Sequence, residues 1–121
     1  MARESLWSKY PDYRIDLEPS AETRRVRFEG EIIAESSRAL VVRETKHEPV
    51  VYFPREDVRL ARLERTAHQT FCPFKGGASY WTLRVGEAAS ENTAWTYEEP
   101  FPEVAGLKDY VAFYADRVEW D

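Results

Sequence analysis

Arg25-Val26-Arg27-Phe28-Glu29-Gly30-Glu31-Ile32-Ile33-Ala34-Glu35 is the stretch that decides the fold class. Val26, Phe28, Ile32 and Ala34 alternate with Arg25, Arg27, Glu29 and Glu31. A period of two belongs to a strand with one face on a core and the other in water. Gly30 within it reads as a bulge or a close backbone approach. Working outward, Ser36-Ser37-Arg38 is a turn, Ala39 to Arg43 a second apolar strand, and Val50-Val51-Tyr52-Phe53 a third. Lys46-His47-Glu48-Pro49 breaks the chain between the last two, so an antiparallel meander is expected. Upstream, residues 1–24 carry Pro11, Pro19 and scattered aromatics, and read as an extended arm packed on a single β domain of residues 25–121.

Downstream, Pro54 ends the third strand, and Arg55-Glu56-Asp57 places acid groups where a helix start favours them. Leu60, Leu63 and Ala67 recur at helical spacing, so one short helix is expected there. Ser79, Trp81, Leu83 and Val85 alternate with Ala78, Tyr80, Thr82 and Arg84 as another strand. Gly86 to Asn92 reads as a polar loop and Thr93 to Tyr97 as a short strand. Leu107, Tyr110, Val111 and Tyr114 fit a helix face, yet Tyr110 to Tyr114 is strand-like in composition; a hairpin closing through Arg117 to Asp121 is expected. The sum is a mainly β, single-domain curled antiparallel sheet, tent-like or barrel-like, of about seven strands with one short helix.

Composition bounds the rest. The chain of 121 residues has room for one core, and its 14% aromatic share excludes disorder. No apolar run approaches about 18 residues, so no membrane span is expected, and Met1 to Ser5 lacks the apolar core of a secretory signal. A single cysteine, Cys72, excludes an internal disulfide framework and a cysteine-cage zinc site. A reduced, cytoplasmic protein, monomer or homodimer, is the expectation. The net charge of -5 is uneven: Glu87 to Asp121 holds nine acidic residues against Lys108 and Arg117. Arg55, Arg59, Arg62 and Arg65 cluster, but the acidic total argues against nucleic acid as a partner.

The densest set of chemistry-bearing residues runs from Thr70 to Tyr80. The thiol of Cys72 stands three residues before the ammonium of Lys75, which would favour a thiolate if the two approach. Gly76-Gly77 could bare backbone N–H groups to an anion. Tyr80 and Trp81, with Phe71 and Phe74, could wall a pocket. His68, four residues before Cys72, is the candidate base for a cysteine nucleophile. A second set is Tyr52 to Val58, where Arg55 could grip an anion bidentately and Asp57 could bind or simply cap backbone groups. Each feature has a structural alternative: a buried thiol, a turn, core aromatics. Neither His47 nor His68 pairs with another ligand at metal spacing, and the glycines are not a P-loop, so no metal and no cofactor is expected.

Five stretches together resemble the domain of unknown function 427 family, also labelled nucleotidyltransferase-like. They are Gly30 to Ser36, Tyr52 to Val58, Thr70 to Gly76 with Ala78 and Tyr80, Ala94 to Pro100, and Tyr110 to Tyr114. They fall in order from about Val26 to the C-terminus. The resemblance implies a compact β fold similar to tent-like domains such as methionine sulfoxide reductase of the B type and a zinc-binding exchange-factor-like chaperone. Many of those relatives hold zinc on two cysteine pairs, which this chain lacks, so the zinc does not carry over. The nucleotidyltransferase label lacks a Gly-Ser followed by an Asp-x-Asp pair.

Three functions remain. The leading one is binding of a small ligand, anions included, by Tyr52, Arg55, Asp57, Lys75, Gly76, Tyr80 and Trp81 near the loop from Cys72 to Gly76. The second is an enzyme using Cys72 as nucleophile or redox thiol, with Lys75 lowering its pKa and His68 or Tyr80 moving protons. The third is a protein-interaction module using the aromatic surface or the acidic C-terminal third.

Overall fold

The computed structural model describes residues 4–121. Its strands are β1 (Ile15–Pro19), β2 (Arg24–Phe28), β3 (Glu31–Ser36), β4 (Leu40–Glu44), β5 (Val50–Pro54), β6 (Leu63–Cys72), β7 (Gly76–Val85), β8 (Ala88–Tyr97), β9 (Tyr110–Phe113) and β10 (Glu119–Trp120). Seven of them form one sheet in the order β1-β4-β5-β9-β8-β7-β6, and three form a second in the order β10-β2-β3. Every pairing between these strands is antiparallel. The mainly β fold is as expected, with ten strands in place of seven. The larger sheet ends on β1 and β6 and is no closed barrel.

The deciding stretch is a hairpin, not one strand. β2 pairs with β3, and Glu29 (φ 49°) and Gly30 (φ 78°) make its two-residue turn. Two consecutive positive φ angles suit the twist of a tight hairpin, and glycine takes the second at no steric cost. The bulge expected at Gly30 lies instead between Val26 and Arg27. It resets the alternation, so Val26, Ile33 and Ala34 are buried.

The expected meander is broken as well. After Ser36 the chain leaves the small sheet, and β4 pairs with β5 and β1 rather than with β3. The segment read as an arm, residues 1–24, is woven into the domain from Ile15 onward; Met1 to Arg3 lie outside the described residues. Ile15 and Leu17 pack with Leu40 and Val42 on one side of the sheet, and Pro19 ends β1 on the sheet's edge, where a missing N–H does no harm.

The expected helix is cut short. Two single turns of 3-10 helix, Arg55–Asp57 and Leu60–Arg62, precede β6, which starts at Leu63. Pairing with β7 prevails over the helical spacing, and a register shift between Arg65 and Gln69 leaves Thr66 to His68 out of step with β7. Likewise the expected loop from Gly86 to Asn92 belongs mostly to β8, which turns back at Gly86 (φ 58°). The C-terminal strands both form, yet not as a hairpin. β9 inserts between β5 and β8, whereas β10 pairs with β2 in the other sheet.

Side-chain alternation along the seven-stranded sheet feeds two cores. Phe53, Trp81, Ala94, Val111 and Phe113 pack toward the small sheet with Val26, Ile33 and Ala34. Tyr52, Tyr80, Trp95 and Ala112, their immediate chain neighbours, pack on the opposite face with Val104, Leu107 and Trp7. That second face carries the site.

Candidate functional site

A row across the second face borders the hollow in it. Tyr52 of β5 pairs with Ala112 of β9, Ala112 with Trp95 of β8, and Trp95 with Tyr80 of β7. The fully buried Ala112 lies between two large rings, and Trp95 Nε1 donates across it to the Tyr52 hydroxyl at 3.3 Å. On the neighbouring row Tyr97 pairs with the small Ala78. Beside these rings a cavity of about 670 Å³ opens. Strands β4, β5, β7 and β8 supply one wall through Glu44, Tyr52, Tyr80, Trp95 and Tyr97. The hairpin loop after Cys72 supplies the other through Pro73, Phe74 and Lys75.

The loop is held from outside. Tyr13 stacks on Phe74 with centroids 3.8 Å apart and planes 11° from parallel. Trp7 meets Phe74 edge-on at 5.3 Å and donates its indole N–H to the Phe74 carbonyl at 2.8 Å. Lys75 then points inward. Its ammonium donates to Glu44, which also accepts the Tyr13 hydroxyl, and only about a tenth of either the Lys75 or the Glu44 side chain is exposed. Such an ion pair tolerates burial because both charges keep hydrogen bonds.

Tyrosines dominate the remaining polar surface. Burial pushes the phenols of Tyr13, Tyr52 and Tyr97 well above their ordinary range, and Glu44 raises all three further. They stay protonated at neutral pH. The Tyr80 hydroxyl shares a hydrogen bond with Thr70 Oγ1 at 2.9 Å. The Tyr97 side chain is 6% exposed, and its hydroxyl meets no hydrogen-bond partner among the described residues. Tyr52, Cys72, Tyr80 and Glu44 all act electrostatically on that phenol, so it points among the cavity's lining groups.

Of the residues singled out in the sequence, Tyr52, Phe71, Cys72, Phe74, Lys75 and Tyr80 therefore share this cavity. Trp81, Arg55, Asp57, His68 and Gly76 do not line it. Trp81 follows Tyr80 in a strand and so faces the other core, with the guanidinium carbons of Arg55 and Arg65 at 5.3 and 5.6 Å from its ring centroid. Arg55 reaches Glu98 and Asp109 at 3.8 and 3.7 Å. Asp57 accepts from Ser36 Oγ at 2.5 Å and from Arg38 at 3.2 Å, tying the turn after β5 to the end of β3. His68 is exposed on β6, where its ring meets Tyr80 edge-on at 4.6 Å without lining the cavity. Gly76 sits at φ 112°, where an added Cβ would stand 3.2 Å from the Glu99 carbonyl oxygen. Its work is a close backbone approach rather than an anion cradle.

Tyr13, Glu44, Trp95 and Tyr97 were not singled out from the sequence. Trp95 and Tyr97 share one face of β8 by simple alternation with Tyr80's neighbourhood, a signal the sequence holds. Glu44 and Tyr13 carry none, because only the β1–β4 pairing brings them together.

A family model described as Domain of unknown function (DUF427) matches residues 16–120. The chain belongs to the DUF427 family. The matched span runs from β1 into β10, so every strand of the DUF427 cavity wall falls inside it, whereas Tyr13 precedes it. No curated protein matches the chain. No helix among the described residues is long and apolar enough to cross a membrane.

Proposed function

We propose that this DUF427 domain binds a small organic molecule in the cavity between the tyrosine-bearing strands and the loop after Cys72. One observation carries the reading: the hydroxyl of Tyr97, a residue only 6% exposed on the cavity wall, has no protein partner among the described residues. It is not sealed from water, so it is a hydrogen-bonding group that an entering ligand can engage. The size of the hollow, about 670 Å³, lies within the range of ligand pockets. Its lining of rings with a few polar tips matches what such pockets use.

The cysteine-enzyme reading is less well supported, since His68, the base first named for the thiol, is outside the cavity lining and Lys75 donates to Glu44. The test is an NMR screen of a fragment library on the folded protein. Binders are expected to shift ring resonances of Tyr52, Tyr80 and Tyr97 and to lose affinity in Tyr97→Phe. Val50→Phe, which adds bulk at a half-buried position of the cavity lining, is expected to weaken binding. A library without a single binder at these rings, or binders indifferent to both substitutions, overturns the reading.

A further inference from the structure

We infer that the occupant of this cavity is an organic cation, a quaternary or protonated amine held among tyrosine and tryptophan rings. The inference rests on the cavity being a ligand site and adds the charge of what enters it.

The first argument is the charge left over. Lys75 is the cavity's one lysine or arginine, and its ammonium donates to Glu44, which also accepts from Tyr13. Glu48 lines the same cavity, is exposed, and has no cationic partner among the described residues. The unspent charge facing an entering molecule is therefore a carboxylate. An anion would meet repulsion there, and a cation attraction.

The rings give the second argument. Trp95 lies 6.3 Å from Tyr52 and 6.4 Å from Tyr80 between centroids, and all three line the cavity, whereas the ring of Tyr114 beside them already carries the Arg117 guanidinium at 4.8 Å. Ring π-systems attract cations, tryptophan most of all, and several rings about one hollow are the arrangement that recognises quaternary ammonium groups.

The experiment titrates the full chain with benzyltrimethylammonium, benzyl alcohol and benzoate, followed by NMR and calorimetry. The cation is expected to bind at the Trp95 and Tyr97 resonances about tenfold or more tightly than the alcohol, with benzoate weakest. Glu48→Gln, an exposed position that leaves the fold intact, should weaken the cation about threefold and leave the alcohol unchanged. Added salt should reproduce part of that loss. Equal or tighter binding of benzyl alcohol or benzoate at the same rings overturns the cation and keeps the ligand site. Silence of all three probes at these rings overturns both.

Discussion

Lys75 and Glu44 stand 31 residues apart and meet as an ion pair with 11% and 10% of their side chains exposed. The pair clamps the loop after β6 onto the end of β4, closing one side of the cavity. Removing one partner strands the other charge away from water. Lys75→Met is expected to cost about 3 kcal/mol, read from urea unfolding. Combined with Glu44→Gln, the loss should be clearly smaller than the sum of the two single losses. Additive losses would mean the two charges are not coupled.

Alkaline pH should unfold the protein through its buried phenols. Tyr13, Tyr52 and Tyr97 have folded-state values raised above the ordinary 10.0, by burial first. A raised value means the folded form holds its proton longer, so the stabilisation is complete below pH 10 and is lost as pH climbs beyond it. Absorbance of tyrosinate should rise in two stages, with these three phenols ionising only as the far-ultraviolet dichroism collapses. One smooth stage, complete in the folded protein, would contradict their burial.

Acid should act on Glu98. Its hydrogen bond from Arg65, at 2.7 Å, holds the carboxyl below the ordinary 4.5, aided by Ser79 and Arg55. A depressed value means stabilisation present above pH 4.5 and lost as pH falls through the folded-state value. Glu98→Gln should lower the urea midpoint at neutral pH, and the difference from the parent should shrink as pH falls below 4.5. A gap that persists in acid would assign the effect to shape rather than charge.

Gly76 and Gly77 should respond differently to alanine. Gly76→Ala forces a side chain into φ 112° and against the Glu99 carbonyl, whereas a Cβ at Gly77 meets nothing within 4 Å. The first substitution is expected to cost about 1–3 kcal/mol, and the second less than about 0.5 kcal/mol. Thermal unfolding of the two variants distinguishes them. Equal losses would show that the approach of Glu99 is soft.

Much of the site was legible in the chain, because strand alternation is local. Tyr52 against Phe53 and Tyr80 against Trp81 already assign one of each pair to each face of a sheet. Applied strictly, that rule separates Trp81 from Tyr80 before any coordinates are known. Cys72 and Lys75 drew attention because the thiol stands three residues before the ammonium in the densest run of chemistry-bearing residues. His68 was set beside Cys72 on sequence spacing alone, in a stretch read as helical, whereas it lies exposed on β6 outside the cavity lining.

The amino-acid order determined on its own the class of fold, the Tyr52, Cys72, Lys75 and Tyr80 share of the cavity, and membership of the DUF427 family. Periodicity, turns and motif runs are properties of neighbours along the chain, so they survive in one dimension. Tertiary structure alone decided that Glu44 takes the charge of Lys75, that Tyr13 closes over Phe74, and that β9 inserts between β5 and β8. Those outcomes depend on which strands pair across long stretches of chain. Loop-closure entropy and side-chain packing settle that choice for the whole molecule at once, and no local pattern records it.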